Sequence, residues 1–193
     1  MKFKKLMAAV TTGVLAVTSL SLSGLIGSAE VQELMNDTFE SGYGAWKGVG
    51  SSLSLSTEQA HNGGTSLYCY DRTANWGAPR CSLTGIVAAG QSYEISASAM
   101  YEGSGQQNMA IKMIYTDANG TDHYDQVAAA QATAGQWVEI KGNYTVPSGA
   151  TDMILYVEMP DANTDQTYYI DDVVIKGEKT EIQLDDKFES DFD

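Results

Sequence analysis

Beyond its first thirty residues the chain repeats one pattern: a short run of alternating apolar and polar residues, then a cluster of Gly, Asn, Asp or Ser. "SLSLS" (52–56), "SLYCY" (66–70), "YEISASAMY" (93–101), "NMAIKMIYT" (108–116), "WVEIKGNYTV" (137–146), "MILYVEM" (153–159) and "TYYIDDVVI" (167–175) all show period two. That period turns one side of a strand to a core and the other away from it. Between these runs stand "HNGGT", "EGSGQQ", "DANGTD", "PSGATD" and "PDANTDQ", residues that supply positive φ or local hydrogen bonds to turns. No stretch here keeps a helical period between caps. The spacing predicts an all-β fold, a jelly-roll β-sandwich of two antiparallel sheets over 36–178.

The two ends read differently. Lys2, Lys4 and Lys5 precede an uncharged apolar run that closes on small residues at Gly27 and Ala29, and charge returns only at Glu30. This is the pattern of a bacterial-type export signal over 1–29, with 30–35 as a short leader. The run is also long enough for a membrane anchor, but its Ser and Thr residues favour cleavage. Either way the rest is expected outside the cytoplasm, and after cleavage secreted. The remaining 164 residues suit one domain with a sizeable core. Loss of three lysines takes the net charge from −14 to −17. So acidic a domain repels nucleic acid and anionic membrane surfaces and leaves neutral partners open, uncharged polysaccharides among them. At the far end, "LDDKFESDFD" (184–193) echoes "MNDTFESGYGAW" (35–46), with Phe39-Glu40-Ser41 recurring as Phe188-Glu189-Ser190. Residues 179–193 therefore read as a linker and the start of a second copy of the module.

Reactive chemistry is hard to find in between. Glycosidases set two carboxylates across a bond with their pKa values pushed apart. Most acids of this chain lie in turn clusters, and there is no G-x-S-x-G, H-E-x-x-H or P-loop. No catalytic centre is expected. "DANGTDHYD" opens like a calcium loop, but Asp122 stands where Gly is needed and Ala128 where a bidentate Glu belongs, so it reads as a hairpin turn. A second set of oxygen donors is Glu40, near the first strand, with Asp171 and Asp172 in the last; first and last strands of a sandwich are often neighbours. These carboxylates either meet around calcium or face solvent. Cys69 and Cys81 are in phase with Leu67 and Leu83 and so point inward. They form either a disulfide, which an extracellular setting permits, or two buried free thiols.

What remains is a set of placed aromatics. "RTANWGAPRC" (72–81) holds Trp76 in a loop of turn residues, where a tryptophan serves either as a lid on the core or as an exposed platform. In "MILYVEM" Leu155 and Val157 belong to the core, which turns Tyr156 and Glu158 to the outer face together. Tyr124 and Gln126 share a face in the same way. Flat rings bordered by hydrogen-bonding groups suit the apolar face and hydroxyl rim of a sugar, although Tyr is also simply a good strand former.

In "FESGYGAWKGVG", "AHNGGTSLYCYDRTANWGAP", "LTGIVAAGQSYEISA", "GQWVEIKGNYTVP", "LYVEMP" and "YYIDDVVI", the chain from Asn36 to Gly177 resembles the family 22 carbohydrate-binding modules. The resemblance implies a non-catalytic, xylan-binding jelly roll joined to a glycoside hydrolase, with β-1,4-xylan or mixed-linkage β-glucan in an open cleft. It implies stacking on Trp76 and Tyr124, and a polar pair at Tyr156 and Glu158. Lys47 stands where the family has an arginine, and lysine lacks its planar fork. The family's structural calcium corresponds to Glu40 and Asp171, with carbonyls near Thr38 and the "HNGG" turn.

Overall fold

The computed structural model of the protein describes residues 30–178. The expected export signal (1–29) and the expected linker and module start (179–193) lie outside the described residues. Eleven strands and no helix make up the described chain. In order they are β1 (Val31–Asp37), β2 (Lys47–Val49), β3 (Ser52–Ser56), β4 (Ser66–Tyr70), β5 (Ala78–Ser82), β6 (Ser92–Glu102), β7 (Gln106–Thr116), β8 (Asp122–Thr133), β9 (Val138–Thr145), β10 (Thr151–Glu158) and β11 (Thr167–Glu178).

The first sheet runs β3-β4-β11-β6-β9, with β1 also paired to β11; the second runs β2-β5-β10-β7-β8. Every pairing is antiparallel, the β-sandwich that the alternating runs predict. Leu67, Ile95, Ile170 and Ile175 of the first sheet face Met109, Ile111, Leu155 and Val157 of the second, all fully buried. The Tyr168 hydroxyl crosses this core and donates to the Val157 carbonyl at 2.8 Å. "DANGTDHYD" forms the β7–β8 hairpin turn, in which Asp117 Oδ1 accepts from the amides of Asn119 and Thr121. Those amides and His123 hold the Asp117 carboxyl down at about 2.

One expectation changes, and one open alternative is decided. Residues 30–35 are not a leader: Val31–Asp37 pairs with Val173–Glu178 from end to end. Only Met35 of that strand is buried, so backbone hydrogen bonding to β11, which no apolar pattern announces, extends the sheet. The cysteines are not bridged. Cys69 in β4 and Cys81 in β5 are free, buried thiols. They enter the core from opposite sheets. Burial pushes both thiols up, Cys81 to about 11.

Four strands were not legible as period-two runs. β1 is mostly exposed, β2 has three residues, β5 contains Pro79, and β8 carries the alanine run 128–130. Three of these four, β2, β5 and β8, belong to the second sheet, whose outer face carries the aromatic site.

Candidate functional site

The face of the second sheet turned away from the core is built from one cross-strand row. Lys47 (β2) stands opposite Arg80 (β5), Arg80 opposite Tyr156 (β10), Tyr156 opposite Lys112 (β7), and Lys112 opposite Gln126 (β8). The next row sets Ser82, Ile154, Ile114 and Tyr124 side by side. Alternation explains the placement, since Cys81, Leu155, Met113 and their neighbours fill the core from the other side.

The middle of this face is recessed. Tyr156 and Glu158 each keep only 3% of their exposure, whereas Trp76 keeps 49% and Tyr124 60%. The expected outward phase of Tyr156 and Glu158 is correct, but their expected exposure is not. Tyr156 packs with Ala78, Ile114 and Ile154, and the Arg80 guanidinium lies 5.2 Å from its ring centre. Glu158 is held by Lys112, whose Nζ is 2.5 Å from Oε1. Burial, then the Glu158 charge, raises the Tyr156 phenol well above its ordinary value, so it remains a hydrogen-bond donor at neutral pH. The result is a polar floor with an exposed ring on either side.

Trp76 owes its position to a buried arginine. Arg72, 4% exposed, donates from Nε to Gly77 O (3.0 Å), from Nη1 to Asn163 O (3.1 Å), and from Nη2 to Asn75 O (2.5 Å) and Met159 O (3.0 Å). One side chain thus ties the tryptophan loop to the segment that follows β10. The loop is pinned again where Thr73 N donates to Gly50 O at 2.9 Å. Gly50 has a φ of +64°, and a Cβ there would stand 2.7 Å from the Trp76 ring, so glycine is required on both counts. With its back on Gly50 and Arg80 5.9 Å from its centre, the indole is an exposed platform and not a lid on the core. Beyond Asn75, the 160–165 loop lines an open depression of about 600 Å³ bordered by Asp161 and Asp165.

Arg80 and Lys112 are site residues that the sequence reading missed. The signal was present: an inward Cys81 turns Arg80 outward, and inward Ile111 and Met113 turn Lys112 outward.

Glu40 and Asp171 converge on the same turn, away from this face. Glu40 Oε1 accepts from Gly64 N (2.9 Å) and Thr65 N (2.8 Å), and Asp171 Oδ2 from His61 N (2.9 Å) and Asn62 N (3.3 Å). Asp171 is fully buried, and burial pushes its carboxyl up against the pull of those amides. Asp172 instead pairs with His61 Nδ1 at 2.6 Å. Among the described residues no cluster of three or more His, Cys, Asp or Glu side chains is placed to hold a metal.

Comparison with known proteins follows the same lines. The family model described as "Carbohydrate binding domain" matches residues 31–167. Endo-1,4-beta-xylanase A of Thermotoga neapolitana is 36% identical over 156 residues, which cover 77% of this chain and 14% of that protein. A xylanase/beta-glucanase of Ruminococcus flavefaciens is 32% identical over 154 residues, 78% of this chain and 19% of the relative. The chain therefore spans under a fifth of the length of these curated relatives. The solved CBM22-1 xylan-binding domain of Paenibacillus barcinonensis Xyn10C superposes with a TM-score of 0.70 at 32% identity, covering 78% of this chain and 97% of that one.

Proposed function

The chain belongs to the family 22 carbohydrate-binding modules, which are non-catalytic, and from that premise we propose that it binds β-1,4-xylan for a secreted xylan-degrading glycoside hydrolase. The observation that carries the reading is the pair of exposed rings, Trp76 and Tyr124, on either side of a recessed polar floor. An open face of this kind takes a stretch of a long chain and needs no chain end. Each ring offers its flat side to the C–H face of a sugar, while Tyr156, Glu158, Lys112 and Gln126 address hydroxyls from the floor. Lys47 assists from the β2 edge. Wet, exposed contacts of this sort give modest affinity, roughly micromolar to millimolar, or ~4–8 kcal/mol. Tethering to a catalytic domain would then act by raising the local concentration of substrate.

The test is titration of the domain with xylohexaose, followed by tryptophan fluorescence and calorimetry, with cellohexaose alongside. A saturable signal with xylohexaose is expected; a response to cellohexaose as well would extend the ligand range to β-glucan. Binding of neither oligosaccharide overturns the reading.

Calcium at Glu40 and Asp171 belongs to the same proposal. Two carboxylates, the oxygen donors a hard cation takes, face one turn, and a Cβ at Gly63 would collide with the Glu40 carboxylate. Bound there, the ion would supply charge neutralisation for the buried Asp171 and fix the 61–65 turn. At a hundred-fold excess over its Kd it adds about 2.7 kcal/mol, or ~5–10 °C in Tm for a domain of this size. A chelator is expected to lower Tm by that amount, with recovery on adding calcium and no response in Glu40→Gln. Equal melting with and without chelator removes calcium from the proposal.

A further inference from the structure

The cations of this acidic chain are not spread evenly. Six Lys and Arg residues fall within 30–178, and three of them, Lys47, Arg80 and Lys112, share the row that floors the site. Lys112 is neutralised by Glu158, Lys141 pairs with Glu94, and Arg72 is engaged by four carbonyls. Among the described residues Lys47, Arg80 and Lys176 have no ion-pair partner, and of these Lys47 and Arg80 stand directly opposite each other on neighbouring strands. Like charges in that relation destabilise a sheet.

Lysines do protect sheet edges from aggregation, which would account for Lys47 on β2. It does not account for Arg80, which lies one strand in and between two aromatic rings. What satisfies both is an anion. A carboxylate at this end of the floor would accept from the Arg80 fork and from Lys47 Nζ, and would relieve the repulsion between them. The acidic depression bordered by Asp161 and Asp165 is unfavourable to the same group, which limits where along the face it can sit.

We propose that the Lys47–Arg80 pair is a subsite for a carboxylate carried by the polysaccharide, a uronic acid branch on the xylan chain stacked at Trp76. The inference rests on the xylan-binding reading and sharpens it: the module selects acid-decorated stretches of backbone although the chain as a whole carries a net charge of −14. Screening weakens such an exposed contact as salt rises.

The experiment compares three ligands by calorimetry at 20 mM and 500 mM salt: xylohexaose, a xylo-oligosaccharide bearing one glucuronosyl branch, and the same compound with its carboxyl reduced to an alcohol. At low salt the acid is expected to bind about ten-fold more tightly than its reduced counterpart. That ratio should fall toward one at high salt, in Lys47→Gln and in Arg80→Gln. An oligogalacturonide, which carries carboxylates on a different backbone, is expected to bind more weakly than any of the three. A ratio of one or less at low salt in the unmodified protein overturns the subsite while leaving xylohexaose binding intact. So does tighter binding of the oligogalacturonide than of the branched acid. Failure of xylohexaose itself to bind removes the xylan reading, and the subsite with it.

Discussion

Trp76→Ala is expected to abolish retention on xylan in affinity gels while leaving the fold in place. An indole face laid on a sugar ring removes on the order of 100 Å² of apolar surface from water, worth ~2.5 kcal/mol, or about sixty-fold in affinity. From a starting Kd of about 20 μM or weaker, that leaves a Kd of about 1 mM or more, too weak for retention in an affinity gel. Tyr124→Ala should lose somewhat less, since a phenol ring is smaller. Neither residue belongs to the core cluster, which is closed by Trp46 and Phe39 near the first strand. The Tm of both variants should therefore stay within ~3 °C of the parent. Unchanged retention with Trp76→Ala would mean that the exposed indole is not where the chain stacks.

Arg72→Met should give the largest loss of stability of any single change near the site. Its guanidinium lies in the interior, over the Tyr168 ring at 5.8 Å, and closes four carbonyls from two separate segments. Methionine fills much of the volume and satisfies none of those acceptors. Several buried carbonyls left without donors cost ~3–5 kcal/mol together, about 8–15 °C in Tm for a domain of this size. Xylan retention should fall as well, because the same bonds fix the loop that presents Trp76. Thermal unfolding beside an affinity gel separates the effects: Trp76→Ala loses binding at nearly constant Tm, and Arg72→Met loses both. A fall in Tm below ~2 °C would show that the loop holds its shape without the arginine.

Much of this protein is legible in its sequence, and the reason is periodicity. Runs such as "NMAIKMIYT" and "MILYVEM" carry a period of two that only a strand can use, and the Gly/Asn/Asp clusters between them permit little but turns. That settles the class of fold and which side of each strand meets the core. It also settles the outward phase of Tyr124, Tyr156 and Glu158, and the reading of "DANGTDHYD" as a turn.

Depth was not legible. Tyr156 and Tyr124 face the same way, yet one is covered and the other open, because burial depends on which strands lie alongside. Tyr156 sits on the central strand of five, between Arg80 and Lys112, and Tyr124 on an edge. Pairing between distant segments decided the rest. The exposed β1 joins the sheet through backbone bonds alone, Cys69 and Cys81 fall on opposite sheets, and Lys47 meets Arg80 across thirty-odd residues of chain. The sequence by itself determined the strands and their inner and outer sides, since those follow from alternation within a few residues. Only the tertiary structure decided depth, partners and the charge of the site, since each of these is a property of neighbours brought together by long-range pairing.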